Sequence, residues 1–282
     1  MKNLGQSISN ADMQRLRTLV HAQAGINLGA DKKTMLELRI RSRLRILEMD
    51  SFDDYCNYLF SRRGETDEMA RFLDVVTTNK TDFFREPAHF NYLTKTALQQ
   101  MNSDCGRVRP LSIWCAGCST GEEAYTLAMV LSEYAHSHPG FRFNILATDL
   151  STQVLEKANL AVYKAELTSP VPADLRRKYF VRSRDPKANL VRIVPELRDL
   201  IEFRRLNFME KDYGLGIQAD IIFCRNVIIY FDRATQEQVL RKITQYLVPG
   251  GHLFLGHSET LHGLDVLLTP VAPALYRKAS RG

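Results

Sequence analysis

Two glycines and two glutamates close together carry the strongest chemical signal in the chain: Trp114-Cys115-Ala116-Gly117-Cys118-Ser119-Thr120-Gly121-Glu122-Glu123. An apolar run ends at Gly117 and a helical pattern starts at Glu122, so the segment reads as strand, turn and helix. Glycine lets backbone approach a ligand closely at the carboxyl end of a strand. The spacing is not GxGxxG, and no lysine follows Gly121, which excludes a Walker A loop. Acidic side chains at the helix start repel phosphate and suit a ligand bearing an amine. That chemistry favours S-adenosylmethionine, with its ammonium and sulfonium, over a dinucleotide or ATP. The plainer alternative is that Glu122 and Glu123 only complement the helix dipole.

A second strand ends at Ala147-Thr148-Asp149. An acid in this place of a dinucleotide fold accepts hydrogen bonds from ribose hydroxyls. Asp149 comes 28 residues after Gly121, against the usual roughly 20; a long helix and the loop at Ser137–Gly140 account for the excess. The alternative role for Asp149 is capping the helix that follows Ser151. Arg225, Asn226 and Tyr230 follow a strand that begins at Asp220, and His257-Ser258-Glu259 occupies a similar edge one strand later. A lone histidine there is more often structural than catalytic. Thr77–Glu86 includes Phe83, Phe84 and Arg85 and no glycine, so it is expected to pack rather than flex. Its Arg85 either pairs with Asp82 or Glu86 or points into a cleft between domains. Cys115 and Cys118 form a Cys-x-x-Cys, but no second such pair and no His-x-x-His completes a metal shell. No metal is expected.

These residues need a scaffold, and the pattern supplies two. Residues 1–76 read as helices only. Ser9 starts one that closes at Gly25, Lys32–Met49 carries Leu36, Ile40, Leu44 and Leu47 at helical spacing, and Ser51 and Thr66 cap shorter helices at 52–62 and 67–76, separated by Gly64. Residues 77–110 read as a linker. From 111 to 282 strands and helices alternate: strands at Leu111–Ala116, Phe141–Ala147, Ala219–Cys224 and His252–Gly256, with Val271–Lys278 as an edge strand. That alternation predicts an α/β domain with a doubly wound, mainly parallel sheet. Residues 163–205 break it with β-like pieces at Tyr179–Arg182, Leu190–Val194 and Leu200–Phe203, read as a small antiparallel insertion.

Composition narrows the class. Of 282 residues, 45% are hydrophobic and 25% charged, the usage of a globular protein with a substantial core, which excludes disorder. No apolar stretch of about 18 residues lacks a charge, and the N-terminus has no apolar signal region, so neither a span nor secretion is expected. Five scattered cysteines in a chain of this size point to reduced thiols and the cytoplasm. A monomer is expected.

Taken together, the motifs resemble the CheR family, S-adenosylmethionine-dependent methyltransferases of bacterial chemotaxis receptors. The resemblance runs through Thr77–Glu86, Trp114–Tyr125, Ala147–Ser151, the inserted β piece, Leu206-Asn207, Phe223–Phe231 and Pro249–Glu259. It implies an all-α N-terminal domain on a Rossmann-like class I methyltransferase domain that carries a three-stranded antiparallel subdomain. The implied reaction is methylation of receptor glutamate side chains to methyl esters. By the same resemblance Asn79, Thr81 and Arg85 line the cofactor cleft, and Glu123 or Glu122 meets the amino-acid end of the cofactor. Asp149 meets the ribose, while Asn207, Arg225 and Asn226 surround the adenosine and methionine portions. Arg85 and Tyr230 fall near the transferred methyl.

Lys32–Leu47 holds six basic residues against one acid, so five of the six net positive charges of the whole chain sit there. Arg39 and Arg43 flank its apolar stripe, with Arg41 and Arg45 opposite. The family resemblance implies that this helix docks on an acidic receptor helix through Arg39, Arg43 and Arg45; the alternative is an ordinary solvated face. Some family members bind a receptor C-terminal pentapeptide on the β-subdomain, at a loop that carries glycines. Arg182–Asn189 has none, which argues against tethering. Two rival functions remain open to these residues, a nucleic-acid methyltransferase and a silent cofactor-binding scaffold. Asn226–Tyr230 lacks the prolines of an Asn/Asp-Pro-Pro-Tyr motif, and the remainder of the chain is not broadly basic, so no nucleic-acid partner is expected.

Overall fold

The computed structural model describes residues 7–103 and 109–280; Cys105 lies outside them. The N-terminal part is helical. Helix α1 (Asn10–Ala24) starts where Ser9 Oγ accepts from Asp12 N and ends at Gly25, whose φ of 69° stops it. Helix α2 (Lys33–Ile46) buries Leu36, Ile40 and Leu44, and α3 (Phe52–Leu59) is capped by Ser51. The expected break at Gly64 is instead the inside of a further helix, α4 (Arg62–Asp67), capped by Ser61. A Cβ on Gly64 would sit 2.0 Å from the Tyr58 carbonyl oxygen, so the glycine permits close helix packing rather than a turn. Thr66 does not cap; its hydroxyl donates back to Arg62 O. Helix α5 (Met69–Val76) completes the bundle around Leu16, Val20, Leu36, Ile40, Tyr55 and Phe72.

The stretch at 77–110 holds α6 (Ala88–Tyr92), a wider π turn at Leu93–Ala97 and α7 (Leu98–Ser103). Phe90, Leu93, Ala97, Leu98 and Met101 pack into the core of the sheet that follows.

Strands β1 (Leu111–Ala116), β2 (Phe143–Asp149), β6 (Ile201–Arg205), β7 (Ala219–Cys224) and β8 (Leu247–Leu255) run parallel. With β9 (Thr269–Ala272) and β10 (Leu275–Arg277) they form one sheet in the order β6-β2-β1-β7-β8-β10-β9. Helices α8 (Glu122–Ser137), α9 (Thr152–Leu160) and α12 (Arg233–Gln245) connect them. Each central strand is buried on both faces, and its side chains alternate. Ile113, Cys115, Ile221 and Phe223 face one core; Trp114, Ala116, Ile222 and Cys224 face the other.

Two details differ from expectation. The edge strand at 271–278 is a hairpin, because Ala274 turns the chain at φ 58° and β10 pairs antiparallel with both β8 and β9. The insertion keeps β4 (Phe180–Arg182) and β5 (Leu190–Ile193), but its third strand is β3 (Val162–Lys164), in the order β3-β5-β4. The piece at 200–203 lies in β6, parallel to β2. Short helices α10 (Ala173–Tyr179) and α11 (Pro195–Arg198) link these strands. A strand as short as β3 leaves no alternation to detect, and β6 can be placed only by its partner.

Candidate active site

The carboxyl ends of β1, β2 and β7 face the helical bundle across a cleft of about 1160 Å³, open mouth included. Asn79, Thr81, Arg85, Gly117, Glu123, Asp149, Asn207, Arg225, Asn226 and Tyr230 all line it. The bundle contributes Ile26, Leu28, Lys32 and Met35 to the opposite wall. No local signal in the sequence places these bundle residues at the cleft, because nothing near them says that the end of α1 reaches the sheet. What brings it there is long-range pairing: Asn27 N donates to Tyr230 O over 2.8 Å, and Asn207 Nδ2 to Gln23 O over 2.6 Å.

The glycine turn is shaped by its surroundings. Gly117 N and Cys118 N both donate to Thr148 O, at 2.7 and 2.9 Å, which binds the end of β1 to the end of β2. Gly117 has φ 85°, and a Cβ there would come within 2.4 Å of Val227 Cγ2. Ser119 N then donates to Asp149 Oδ2 over 2.8 Å, while Ser151 N donates to Oδ1 over 3.0 Å. Asp149 therefore both organises the turn and lines the cleft; burial raises its carboxyl above the ordinary range, against the pull of these amides. Ser119 Oγ donates to Asn79 O over 2.8 Å and fastens the 77–86 segment to the same turn.

The two glutamates part company. Glu123 faces the cleft and accepts from Arg225 Nη1 over 2.8 Å. Burial raises its carboxyl, and the Arg225 charge opposes that rise. Glu122 lies away from the cleft, accepts from Thr120 Oγ1 over 2.6 Å, and is raised by burial. Arg225, with its side chain 1% exposed, also donates through Nη2 to the Arg85 carbonyl over 2.6 Å and lies 3.0 Å from Glu86 Oε2. It is the hub that joins the end of β7, the start of α8 and the 77–86 segment. The guanidinium of Arg85 stays loosely held, 3.4 Å from Lys80 O.

The sequence puts Glu259 at this sheet edge but gives it no role. Its carboxylate accepts from the backbone N–H groups of Gly256, Asn226, Val227, Ile228 and Ile229, at 2.6 to 3.3 Å. This clamp sets the loop carrying Asn226, whose φ is 56°, and Tyr230. Burial raises the Glu259 carboxyl, and the amides oppose it.

The expected docking arginines separate in the same way. Arg43 is buried and forms two hydrogen bonds to Glu68, both 2.7 Å, with Tyr55 OH adding a third to that carboxylate. It cannot face a receptor while the bundle is folded, because its guanidinium is consumed inside the helical core. Arg39 is half-buried and donates to Val76 O, Thr77 O and Thr78 Oγ1, just before the cleft-lining Asn79. Only Arg45 of the three is exposed. Cys115 and Cys118 are buried, with thiols raised well above the ordinary value by burial, which keeps both protonated.

The cleft suits S-adenosylmethionine chemically. Glu123 offers a buried carboxylate to a cationic end, Asp149 an acceptor at the second strand end, and Gly117 a stretch of backbone with no side chain in the way.

Residues 79–272 match the family described as CheR methyltransferase, SAM binding domain, and residues 11–77 match CheR methyltransferase, all-alpha domain. A chemotaxis protein methyltransferase of Borreliella burgdorferi is 36% identical over 98% of this chain and 97% of the relative. Chemotaxis protein methyltransferase 2 of Pseudomonas aeruginosa is 39% identical over 95% and 93%, and the Escherichia coli chemotaxis protein methyltransferase 39% identical over 96% and 91%. With both parts of the chain matched and relatives aligned nearly end to end, this protein belongs to the CheR methyltransferase family.

Proposed function

We propose that this enzyme methylates glutamate side chains in the cytoplasmic domains of methyl-accepting chemotaxis receptors, giving γ-methyl esters. One observation carries the reading: Arg85 and Tyr230 line the cleft at the strand ends, taken as the S-adenosylmethionine site, and among the described residues the one hydrogen bond of the Arg85 guanidinium is a long one to a carbonyl. A guanidinium so placed is available to a carboxylate in a fork geometry that lysine does not offer. S-adenosylmethionine supplies a methyl on a sulfonium, which leaves as a neutral thioether. A glutamate, with a reference pKa near 4.3, is already ionised at pH 7, so its oxygen forms the new C–O bond without a general base. The protein's task is then to orient the carboxylate and strip part of its water. Arg85 orients it, Tyr230 hydroxyl helps fix the donor end, and Arg225 holds Glu123 and the Arg85 backbone in place.

The exposed Arg45 on α2, beside exposed Leu38 and Ile46, supports docking of an acidic receptor helix on this side. A receptor pentapeptide forms no part of the proposal, since the Arg182–Asn189 loop lacks glycine.

The deciding experiment incubates the enzyme with labelled S-adenosylmethionine and receptor-bearing membranes. Base-labile label on receptor bands is expected; base-stable label, or none, rejects the ester. Arg85→Ala and Tyr230→Phe should each lower kcat by tenfold or more. Wild-type turnover in both would remove them from the reaction.

A further inference from the structure

Glu86, His89 and His257 bring three donor atoms within 4.8 Å of one another, from the segment after Arg85 and the loop after β8. His89 Nδ1 lies 3.5 Å from Glu86 Oε2, and His257 Nε2 lies 3.8 Å from the same oxygen. Even with the third side at its full length, a point about 2.4 Å from all three donors exists. Zinc bonds to histidine and carboxylate run at about 2.0–2.2 Å. The His257 side chain is 55% exposed, so a small rotation closes the gap.

A second observation is independent of that geometry. His89 is 1% exposed, and neither of its ring nitrogens has a hydrogen-bond partner. Buried polar atoms are almost always paired, and leaving them bare costs stability. His252 is also buried with both nitrogens unpaired, but it belongs to no such donor cluster among the described residues. Arg225 is the opposing charge, 3.0 Å from Glu86 Oε2. Glu86 and Glu123 both face this guanidinium, so it is shared between two carboxylates.

We propose that Glu86, His89 and His257 form a binding site for a divalent late transition metal of the zinc type, with a fourth position open to solvent. Two histidines and one carboxylate are a donor set that zinc takes readily. The ion takes up one of the two unpaired nitrogens of His89 and joins the loop after β8 to the segment bearing Arg85. The site stands apart from the choice of methyl acceptor.

The test titrates Zn²⁺ into the full-length protein against a chromophoric chelator, then repeats the binding with Co²⁺. One equivalent should bind in the micromolar range, and the Co²⁺ spectrum should show nitrogen and oxygen ligands with no thiolate charge-transfer band. His257→Ala, at a half-exposed side chain, should weaken Zn²⁺ at least tenfold, whereas His262→Ala, at another exposed histidine, should not. Absence of saturable binding, equal affinity in His257→Ala, or a thiolate band would each overturn the site.

Discussion

Arg225 Nη1 donates to Glu123 Oε2 over 2.8 Å, across 102 residues of sequence, with side chains 1% and 12% exposed. The pair locks the start of α8 to the end of β7 at the wall of the cleft. Removing one partner of a buried pair costs about 3–5 kcal/mol, because the other charge is left bare. Arg225→Met should therefore lower stability by that order in chemical denaturation. It should also weaken S-adenosylmethionine, read by calorimetry. Unchanged stability would mean that the pair contributes nothing.

Gly117 offers a steric test of the turn. Gly117→Ala places a methyl 2.4 Å from Val227 Cγ2 at a backbone φ of 85°, where a side chain costs of order 1–3 kcal/mol. Cofactor affinity is expected to fall about tenfold or more. Adding Val227→Ala should recover part of the loss, since it relieves the clash but not the φ strain. Equal affinity in all three proteins would sink the argument.

The basic helix divides by burial. Arg43→Met should unfold the bundle more easily by about 3–5 kcal/mol, through the unpaired Glu68, while any protein that remains folded keeps its receptor KM. Arg45→Glu should leave stability nearly unchanged and raise the receptor KM in a salt-dependent way. Arg39→Ala should weaken the cofactor several-fold, because its guanidinium holds the carbonyls that precede Asn79. Steady-state kinetics with each substrate varied separately distinguishes the three.

His252 gives a pH dependence. Burial, with the Arg277 charge, pushes its pKa from 6.5 down to about 4. Between these values the unfolded chain takes up a proton that the folded chain refuses. Stability therefore falls as pH drops through that window, by at most about 1.4 kcal/mol per pH unit. His252→Phe should flatten this limb of a stability-versus-pH curve, and an unaltered slope would show that other groups set it.

The cleft residues were readable in proportion to how local their signal is. Gly117, Glu123 and Asp149 sit at strand ends whose apolar runs, turns and helix starts are continuous in sequence, so their shared place at one sheet edge follows from the α/β alternation. The helical wheel of α2 was less informative. It gives each arginine an angle but not what lies opposite, and Arg43 meets Glu68, 25 residues on, while Arg39 meets the end of α5. The strand at 201–205 looked like the insertion because its membership depends on pairing with β2.

By itself the sequence determined where the longer helices and the central strands form and that glycines stand in the turn at 117–121, since these depend on near neighbours and a repeating period. Tertiary structure alone decided which charges are consumed and which are free. Glu123 turned to the cleft while Glu122 did not, and Arg45 stayed exposed while Arg43 was buried. Glu259 became the clamp of the loop that bears Tyr230. The reason is physical: a charge is neutralised by whatever folding brings within about 3–4 Å, and those partners lie tens of residues away.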